Sequence, residues 1–375
     1  MLCIVGARPN FMKIAPIMAA FAAAKPAVPA CLVHTGQHYD AAMNQQYLDA
    51  LGIGSPEVNL EVGSGSHAVQ TAEIMRRFEP VIDTEKPSAV LVVGDVNSTI
   101  ACALVAVKKS VPVIHVEAGL RSFDRAMPEE INRVLTDQIS DLLFTTERTA
   151  LQNLESEGIA PSRVHFVGNV MIDTLRRNRD RAIAPEITLK DAAPRVLGSS
   201  QGFAALTLHR PSNVDDREVL ERLLRTMYEI GDKLPVVFPV HPRTRDRIAK
   251  FGLDHLLDAQ RIVALPPAGY LQMLGLMRAA RVVLTDSGGI QEETTALGIP
   301  CVTLRQSTER PITADEGTNT IVGQDPARIL SVVDDVLRTG GKKGRVPDLW
   351  DGHASERIAA CLQRWLGELP ARVAA

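Results

Sequence analysis

The sequence predicts an α/β protein made of two Rossmann-like domains, each a doubly wound parallel sheet. Short, uninterrupted apolar runs alternate with helical patterns, which is typical of parallel strands covered by helices on both faces. The alternation lapses once, between residues 180 and 202, and then resumes. The chain of 375 residues is long enough for two domains that each bury a core of their own.

In the first half of the chain, six apolar runs predict the strands of one sheet. They read LCIVG, CLVHTG, AVLVVGD, VPVIHVEA, LLFTTE and VHFVG, and helical segments lie between them. The pattern then lapses in RAIAPEITLKDAAPRVLGSSQG, which contains Pro and Gly and has little periodicity. We therefore expect the linker between the domains there.

The second half repeats the alternation with FAALTL, PVVFPV, RIVALP, RVVLTD, PCVTL and NTIVG. The predicted domains are residues 1–180 and 181–352. A final helical segment, 353–375, could pack against either domain, including back on the N-terminal one. Ligands of open α/β sheets bind beyond the carboxyl ends of the strands. We therefore expect the two domains to face a cleft lined by the polar residues that follow the strands.

Composition and charge argue against several classes of protein. A net charge of −3 and an aromatic content of 4% give no basic face and few stacking platforms, so nucleic acid is not an expected partner. No apolar run approaches the ~18 residues of a membrane span, and the N-terminus lacks a basic region typical of a signal peptide. The five cysteines include no C-x-x-C pair, which favours reduced thiols in a cytoplasmic protein. No metal-ligand spacing and no P-loop occurs, so we expect neither metal nor cofactor.

Polar residues follow the first, second and third strands of the first domain. Arg8 and Lys13 could face a phosphate at the start of a helix, although an ordinary turn with solvated bases would explain them equally well. Gln37 follows the second strand, where a polar turn is as good an explanation as a ligand contact. Asp95 lies at the tip of the third strand and could simply cap the next helix.

The stretch HVEAGLRSFDRAMPEEINR carries the highest density of charge after a strand. Acids in a first helical turn complement the helix dipole, which accounts for one glutamate such as Glu129 but not for Glu117 at the strand end. If the strands that end at Asp95 and Glu117 are neighbours, two carboxylates face one cleft. Because paired carboxylates with separated pKa values can supply an acid and a base, catalysis is favoured over a structural ion network.

In the second domain, two histidines follow successive strands. His209 lies in TLHRPSN and His241 in FPVHPR. A single histidine of this kind is more often a helix cap or a satisfied core residue than a ligand. Two at parallel positions favour a functional role.

The motif LTDSGGIQEE predicts an anion site. Ser287, Gly288 and Gly289 precede a helix, so their backbone N–H groups could hold a phosphate. Glu293, one turn into that helix, could accept hydrogen bonds from ribose hydroxyls. With Arg310 in TERPIT, these residues indicate a nucleoside diphosphate site.

Taken in order, these motifs resemble the non-hydrolysing UDP-N-acetylglucosamine 2-epimerase family over about residues 1–340. The resemblance implies two Rossmann-like domains around a cleft, as in B-type glycosyltransferases, and a homodimer. It also implies a reaction on a UDP-amino sugar. The enzyme removes the proton at sugar carbon 2 and expels UDP from carbon 1, a 2-acetamidoglucal stays bound, and UDP adds back while a proton reaches the opposite face.

The resemblance assigns roles to residues at matching positions. The acidic catalytic positions match Asp95, Glu117 and Glu129, the active-site histidine matches His209, and Arg133 matches an arginine near the sugar. Gln37 is a candidate substrate contact. The family's phosphate and uridine contacts match the following residues: Arg8, Lys13, His241, Ser287, Gly288, Gly289, Glu293 and Arg310.

Two departures from the family pattern leave the sugar open. HRPSN stands where the family often has HRRE or HRAEN, and Tyr-Asp stands where many members have Arg followed by an acid. Activation by substrate and a modified sugar, such as a UDP-2,3-diacetamido hexuronic acid, both remain open. So do a hydrolysing epimerase that releases free N-acetylmannosamine, a glycosyltransferase of the same fold, and a UDP-sugar sensor. Three strand-end acids weigh against the last two.

Overall fold

The structure is a computed structural model that describes residues 1–36, Leu48, 51–190, 194–197 and 201–368, with the Arg8, Pro194 and Arg195 side chains left out. The chain forms two compact units. The first unit comprises Met1–Arg177 and Asp348–Ala375, and the second comprises Asn178–Pro347.

The first unit is built on a seven-stranded sheet in which all the paired strands are parallel. Its strand order is β3-β2-β1-β4-β5-β6-β7, so the order reverses between β1 and β4. The strands are β1 Leu2–Val5, β2 Cys31–His34, β3 Val58–Asn59, β4 Val90–Val93, β5 Val113–Ala118, β6 Leu142–Thr145 and β7 Val164–Phe166.

The second unit has a six-stranded parallel sheet of the same design. Its order is β10-β9-β8-β11-β12-β13, which reverses between β8 and β11. The strands are β8 Ala204–Thr207, β9 Val236–Pro239, β10 Ile262–Leu265, β11 Val282–Thr285, β12 Cys301–Thr303 and β13 Asn319–Ile321.

Helices connect the strands, and among the described residues 3₁₀ turns form at Pro161–Arg163, Arg179–Arg181 and Asp254–Leu256. The helices are α1 Arg8–Ala23, α2 His67–Glu85, α3 Asn97–Lys108, α4 Pro128–Ile139, α5 Arg148–Ser156, α6 Val170–Asn178, α7 Pro185–Leu189, α8 Pro194–Leu197, α9 Pro211–Val214, α10 Arg217–Gly231, α11 Pro242–Phe251, α12 Tyr270–Ala279, α13 Gly288–Leu297, α14 Pro311–Asp315, α15 Pro326–Thr339 and α16 Ala354–Glu368.

Strand β1 shows why the runs are apolar throughout. All four of its side chains are buried. Leu2 and Ile4 belong to one hydrophobic core, and Cys3 and Val5 belong to another, because successive side chains of a strand point to opposite faces. Helices cover both faces of this sheet, so alternation with polar residues is absent. The predicted class of two parallel-sheet α/β domains is confirmed.

Two regions of the chain bear on the expected domain limits. Within 180–202, where the linker was expected, α7 and α8 form, and the Ile183 N–H donates to the Leu271 carbonyl at 3.0 Å within the second unit.

The C-terminal segment packs on the first unit. Helix α16 packs against α1, and Trp350 lies buried with its ring N–H 3.0 Å from the Thr146 carbonyl. Residues 348–368 therefore complete the core of the first unit. Every helix in the described part of the chain is too short or too polar to span a bilayer.

Candidate active site

The two strands that end in candidate acids lie side by side in the first unit. Val93 of β4 pairs with Val116 of β5, so Asp95 and Glu117 follow neighbouring strands at the same edge of the sheet. This edge is next to the point where the strand order reverses, which is where open α/β sheets bind ligands.

Glu117 has an unusual backbone and a buried partner. Its φ of 74° lies in the left-handed region, and a register irregularity between Val116 and Ala118 marks a bulge at this position. Such a conformation costs about 1–3 kcal/mol in a non-glycine residue and is concentrated at functional sites. The Glu117 carboxylate accepts a hydrogen bond from the Lys13 ammonium, and both side chains are buried. Lys13 therefore is not a solvated base in an ordinary turn.

Asp95 is held by Arg133 of helix α4. The guanidinium donates to Asp95 Oδ2 at 2.5 Å and to Glu130 Oε2 at 2.7 Å. Glu130 also accepts the backbone N–H groups of Ser122 and Phe123, at 2.9 and 2.8 Å. Glu130 thus fixes the loop that leads into α4.

Glu129 differs from its neighbour Glu130. It is half-buried, and its carboxylate makes no hydrogen bond or ion pair with the described part of the chain. The structural explanation for acids in this first turn therefore applies to Glu130, and an acid–base role for Glu129 stays a prediction.

A second charged network lies beneath these groups. His115 Nδ1 is 2.6 Å from Asp137 Oδ1, and His115 Nε2 is 2.8 Å from the Gly94 carbonyl oxygen. Asp137 Oδ2 accepts from the Gly119 N–H at 3.0 Å and from Arg121 Nη2 at 2.7 Å. Arg121, which belongs to the charged stretch HVEAGLRSFDRAMPEEINR, thus serves a buried structural pair.

The turn after β1 is already filled by a side chain that sequence reasoning missed. Asn10 Oδ1 accepts the N–H groups of Gly6 and Ala7 at 3.2 and 2.9 Å, and its amide donates to the Val93 carbonyl at 3.0 Å. Arg8 begins α1, and its side chain is outside the description. Gln37 lies outside the described residues.

In the second unit, the buried carboxylate of Asp286 organises the end of β8. It is 2.9 Å from His209 Nδ1 and accepts the N–H groups of His209 and Arg210, both at 2.9 Å. Burial by itself raises the pKa of Asp286, but His209 and these N–H groups outweigh burial and hold it below the usual value. Sequence reasoning named Ser287 but missed Asp286, although the residue stands at the tip of RVVLTD.

His241 has both a structural and a site-related position. It is the N-cap of α11, where its Nδ1 accepts the Arg243 N–H at 3.3 Å. Its ring centroid also lies 5.6 Å from that of His209. The two predicted histidines therefore come together at the same sheet edge.

Helix α13 begins at the predicted Ser-Gly-Gly turn. Ser287 is its N-cap and makes no side-chain cap, and Gly289 follows in the first turn. A Cβ on Gly288 would lie 2.5 Å from Glu309 Oε1, so any other residue there would require the buried Glu309 carboxylate to move. Burial alone raises the pKa of Glu309, but Arg305 at 2.7 Å, with Arg310 and Arg210, holds it well below its usual range.

The two glutamates of α13 have different environments. Arg310 Nε is 2.7 Å from Glu292 Oε1, and both groups are buried. Burial raises the pKa of Glu293 to about 8, since the opposing effect of the Tyr270 hydroxyl is smaller and Glu292 adds to the rise. At neutral pH the Glu293 carboxyl is therefore mostly protonated and can donate as well as accept a hydrogen bond. No group of His, Cys, Asp or Glu that could hold a metal occurs among the described residues.

Comparison with known proteins agrees with the resemblance. The family model described as UDP-N-acetylglucosamine 2-epimerase matches residues 22–363. The chain belongs to this family. The predicted family is thus confirmed, and so is the expected class of enzyme, an epimerase.

Relatives within the UDP-N-acetylglucosamine 2-epimerase family differ in the sugar they are named for. The UDP-N-acetylglucosamine 2-epimerase of Methanococcus maripaludis is 41% identical over 90% of this chain and 91% of its own. The UDP-2,3-diacetamido-2,3-dideoxy-D-glucuronate 2-epimerase of Pseudomonas aeruginosa is 40% identical over 97% and 99%. The crystal structure of Methanocaldococcus jannaschii UDP-GlcNAc 2-epimerase with UDP-GlcNAc and UDP matches with a TM-score of 0.87 and 38% identity, covering 97% of this chain and 99% of that one.

Proposed function

We propose that this member of the family is a non-hydrolysing UDP-N-acetylglucosamine 2-epimerase, an isomerase that interconverts UDP-N-acetylglucosamine and UDP-N-acetylmannosamine. The observation that carries the proposal is the pair of acids at neighbouring strand ends. Glu117 is buried against Lys13, and Asp95 is held by Arg133. An inversion at carbon 2 needs one group to remove a proton and another to deliver one to the opposite face, and two separately held carboxylates supply them.

The reaction proceeds through elimination and re-addition of UDP. A base removes the carbon 2 proton, the C–H electron pair forms the carbon 1–carbon 2 double bond, and the bond from carbon 1 to the UDP oxygen breaks. UDP then adds back to carbon 1 of the bound 2-acetamidoglucal while carbon 2 receives a proton on its other face. Asp95, Glu117 and Glu129 are the proposed acid and base groups, and Arg133 orients Asp95 beside the sugar.

The second unit supplies the proposed nucleotide contacts. The N–H groups of the Ser287–Gly289 turn and the positive end of the α13 dipole would stabilise UDP as it leaves, which is the step that develops charge on the phosphate. His241 is a further proposed contact to UDP. His209, oriented by Asp286 and lying at the same sheet edge as His241, is the proposed catalytic histidine. Glu293 is the proposed ribose contact.

Further proposed contacts lie elsewhere. Arg310, held by Glu292, is proposed for the diphosphate, together with Arg8 and Lys13. Gln37 is proposed as a sugar contact. We also propose a homodimer, as the resemblance implies, and a cytoplasmic location, as the cysteine pattern favours.

A modified sugar is the second candidate. HRPSN, which departs from the common family motif, begins with His209, and a relative at 40% identity is named for a diacetamido glucuronate. The same acids and the same nucleotide contacts would serve such a substrate.

Proton NMR of the enzyme with UDP-N-acetylglucosamine in deuterium oxide tests the proposal. Deuterium at carbon 2 together with UDP-N-acetylmannosamine is the expected result. Free UDP with free N-acetylmannosamine would indicate a hydrolysing enzyme instead. Absence of exchange, with UDP binding intact by calorimetry, would reject this substrate, and UDP-2,3-diacetamido hexuronic acids would be assayed next.

A further inference from the structure

We propose that His115 and Asp137 are positioning residues that fix the backbone of both strand-end acids, Asp95 and Glu117. The inference rests on the proposed function for the role of those acids. Both side chains are fully buried, and all the contacts of theirs that carry the proposal are with protein groups. They act through two backbone turns.

The first contact fixes the turn that presents Asp95. His115 Nε2 donates to the Gly94 carbonyl at 2.8 Å. Gly94 has a φ of 67°, and its own N–H donates to the Val116 carbonyl at 3.1 Å. The peptide before Gly94 is therefore held through its N–H and the peptide after it through its carbonyl, which sets the direction in which Asp95 leaves the strand.

The second contact fixes the turn that presents Glu117. Asp137 Oδ2 accepts the Gly119 N–H at 3.0 Å. Gly119, with a φ of 79°, lies two residues after Glu117, whose φ is 74°. A strained conformation persists only where its surroundings determine it, and this carboxylate supplies one of the bonds that do so.

The bond from His115 Nδ1 to Asp137 Oδ1, at 2.6 Å, joins the two contacts into one unit. The two ring nitrogens of His115 face two different oxygens, Asp137 Oδ1 and the Gly94 carbonyl oxygen. The single nitrogen of an amide side chain cannot reach both positions. Buried polar and charged groups are seldom the most stable filling of a core, since apolar residues of similar volume are often neutral or stabilising there. Orientation of the two turns explains why such a pair occupies this position.

Two variants separate the two contacts. In His115→Asn the amide nitrogen falls near the Nδ1 position, so the Asp137 bond is kept and the Gly94 bond is lost. In His115→Gln the amide nitrogen falls near the Nε2 position, so the reverse holds. Asp173→Asn is the matched control, because Asp173 is an equally buried carboxylate of the first unit that accepts the N–H groups of Ala354 and Ser355 at 3.1 and 2.7 Å.

Hydrogen–deuterium exchange of the full-length protein measures how well the backbone amides of the two turns are protected, and it does not depend on catalysis. We expect faster exchange over residues 94–97 in His115→Asn and over 117–120 in His115→Gln, and neither change in Asp173→Asn. Turnover is expected to fall about 10²-fold in both His115 variants, the size of effect that an ångström of misplacement produces. KM and the affinity for UDP are expected to stay within about twofold.

Unchanged exchange at both turns would overturn the proposal. A wild-type kcat in the two His115 variants would also overturn it. So would a loss of kcat in Asp173→Asn as large as that in the His115 variants, if these proteins have lost the same amount of stability. If the wild-type protein shows no exchange at sugar carbon 2, the proposed function fails. The crossed pattern of amide exchange would still decide whether His115 and Asp137 hold the turns.

Discussion

Replacing Glu117 by glutamine is expected to destabilise the first unit because it removes one partner of a buried ion pair. The side chains of Lys13 and Glu117 are only 9% and 2% exposed. Glutamine keeps the shape and the left-handed backbone but leaves the Lys13 ammonium buried without its carboxylate. Removing one partner of a buried ion pair costs about 3–5 kcal/mol. Lys13→Met leaves the opposite charge and is expected to cost a similar amount.

The double variant Lys13→Met/Glu117→Gln removes both charges, so its loss should be smaller than the sum of the single losses by about 2–3 kcal/mol. Urea unfolding followed by tryptophan fluorescence measures this directly. The sequence has two tryptophans, Trp350 and Trp365, and both belong to the first unit. All three variants are expected to lose most turnover, and Glu117→Gln, which leaves the proposed diphosphate contact Lys13 in place, is expected to retain UDP binding by calorimetry.

A coupling energy below about 0.5 kcal/mol would refute the reasoning, since the pair would then behave as an exposed salt bridge. Loss of UDP binding in Glu117→Gln with normal turnover of the remaining complex would contradict the proposed acid–base role instead.

Three further outcomes are expected from single contacts. Gly94→Ala places a Cβ 2.8 Å from Lys13 Nζ at a backbone φ of 67°, so it should lower turnover strongly. Its control is Gly158→Ala, which has a φ of 80° but no atom within 4 Å of the added Cβ; it should lose only about 1–2 kcal/mol in thermal unfolding, from backbone strain, and keep the wild-type kcat. Glu293 has a folded pKa of about 8 against an ordinary 4.5, so its contribution to stability is present below 4.5 and is lost as the pH rises to about 8; Glu293→Gln should remove that slope from circular-dichroism melts at pH 5, 6.5 and 8, and parallel curves would contradict it. Asp286→Asn should cost about 1–3 kcal/mol by removing a buried acceptor, and an unchanged kcat/KM in steady-state assays would show that it does not orient His209.

The elements that could be predicted are those whose signal is local. Strand β1 and its counterparts read as unbroken apolar runs because both faces of each sheet are buried. The sequence predicts that Asp95 and Glu117 meet only if their two strands are neighbours, because neighbouring parallel strands bring their carboxyl ends to the same edge of the sheet.

The partners of these residues could not be predicted, because they depend on side chains that meet across long stretches of chain. Asp137 lies 22 positions from His115, and Asp286 lies 77 positions from the backbone of His209. Likewise, the motif PEEINR does not show whether Glu129 or Glu130 binds the loop that leads into α4. The answer depends on which side of α4 the N–H groups of Ser122 and Phe123 approach.

The return of residues 348–368 to the first unit has a consequence for synthesis. Ile358 and Leu362 lie in the same core as Cys3 and Val5 of β1. When a nascent chain has left the ribosome as far as Pro347, the second unit is complete but the first still lacks one of its core helices. The unit that is translated first is therefore finished last. Until α16 arrives, its apolar surface is exposed to aggregation or to chaperones.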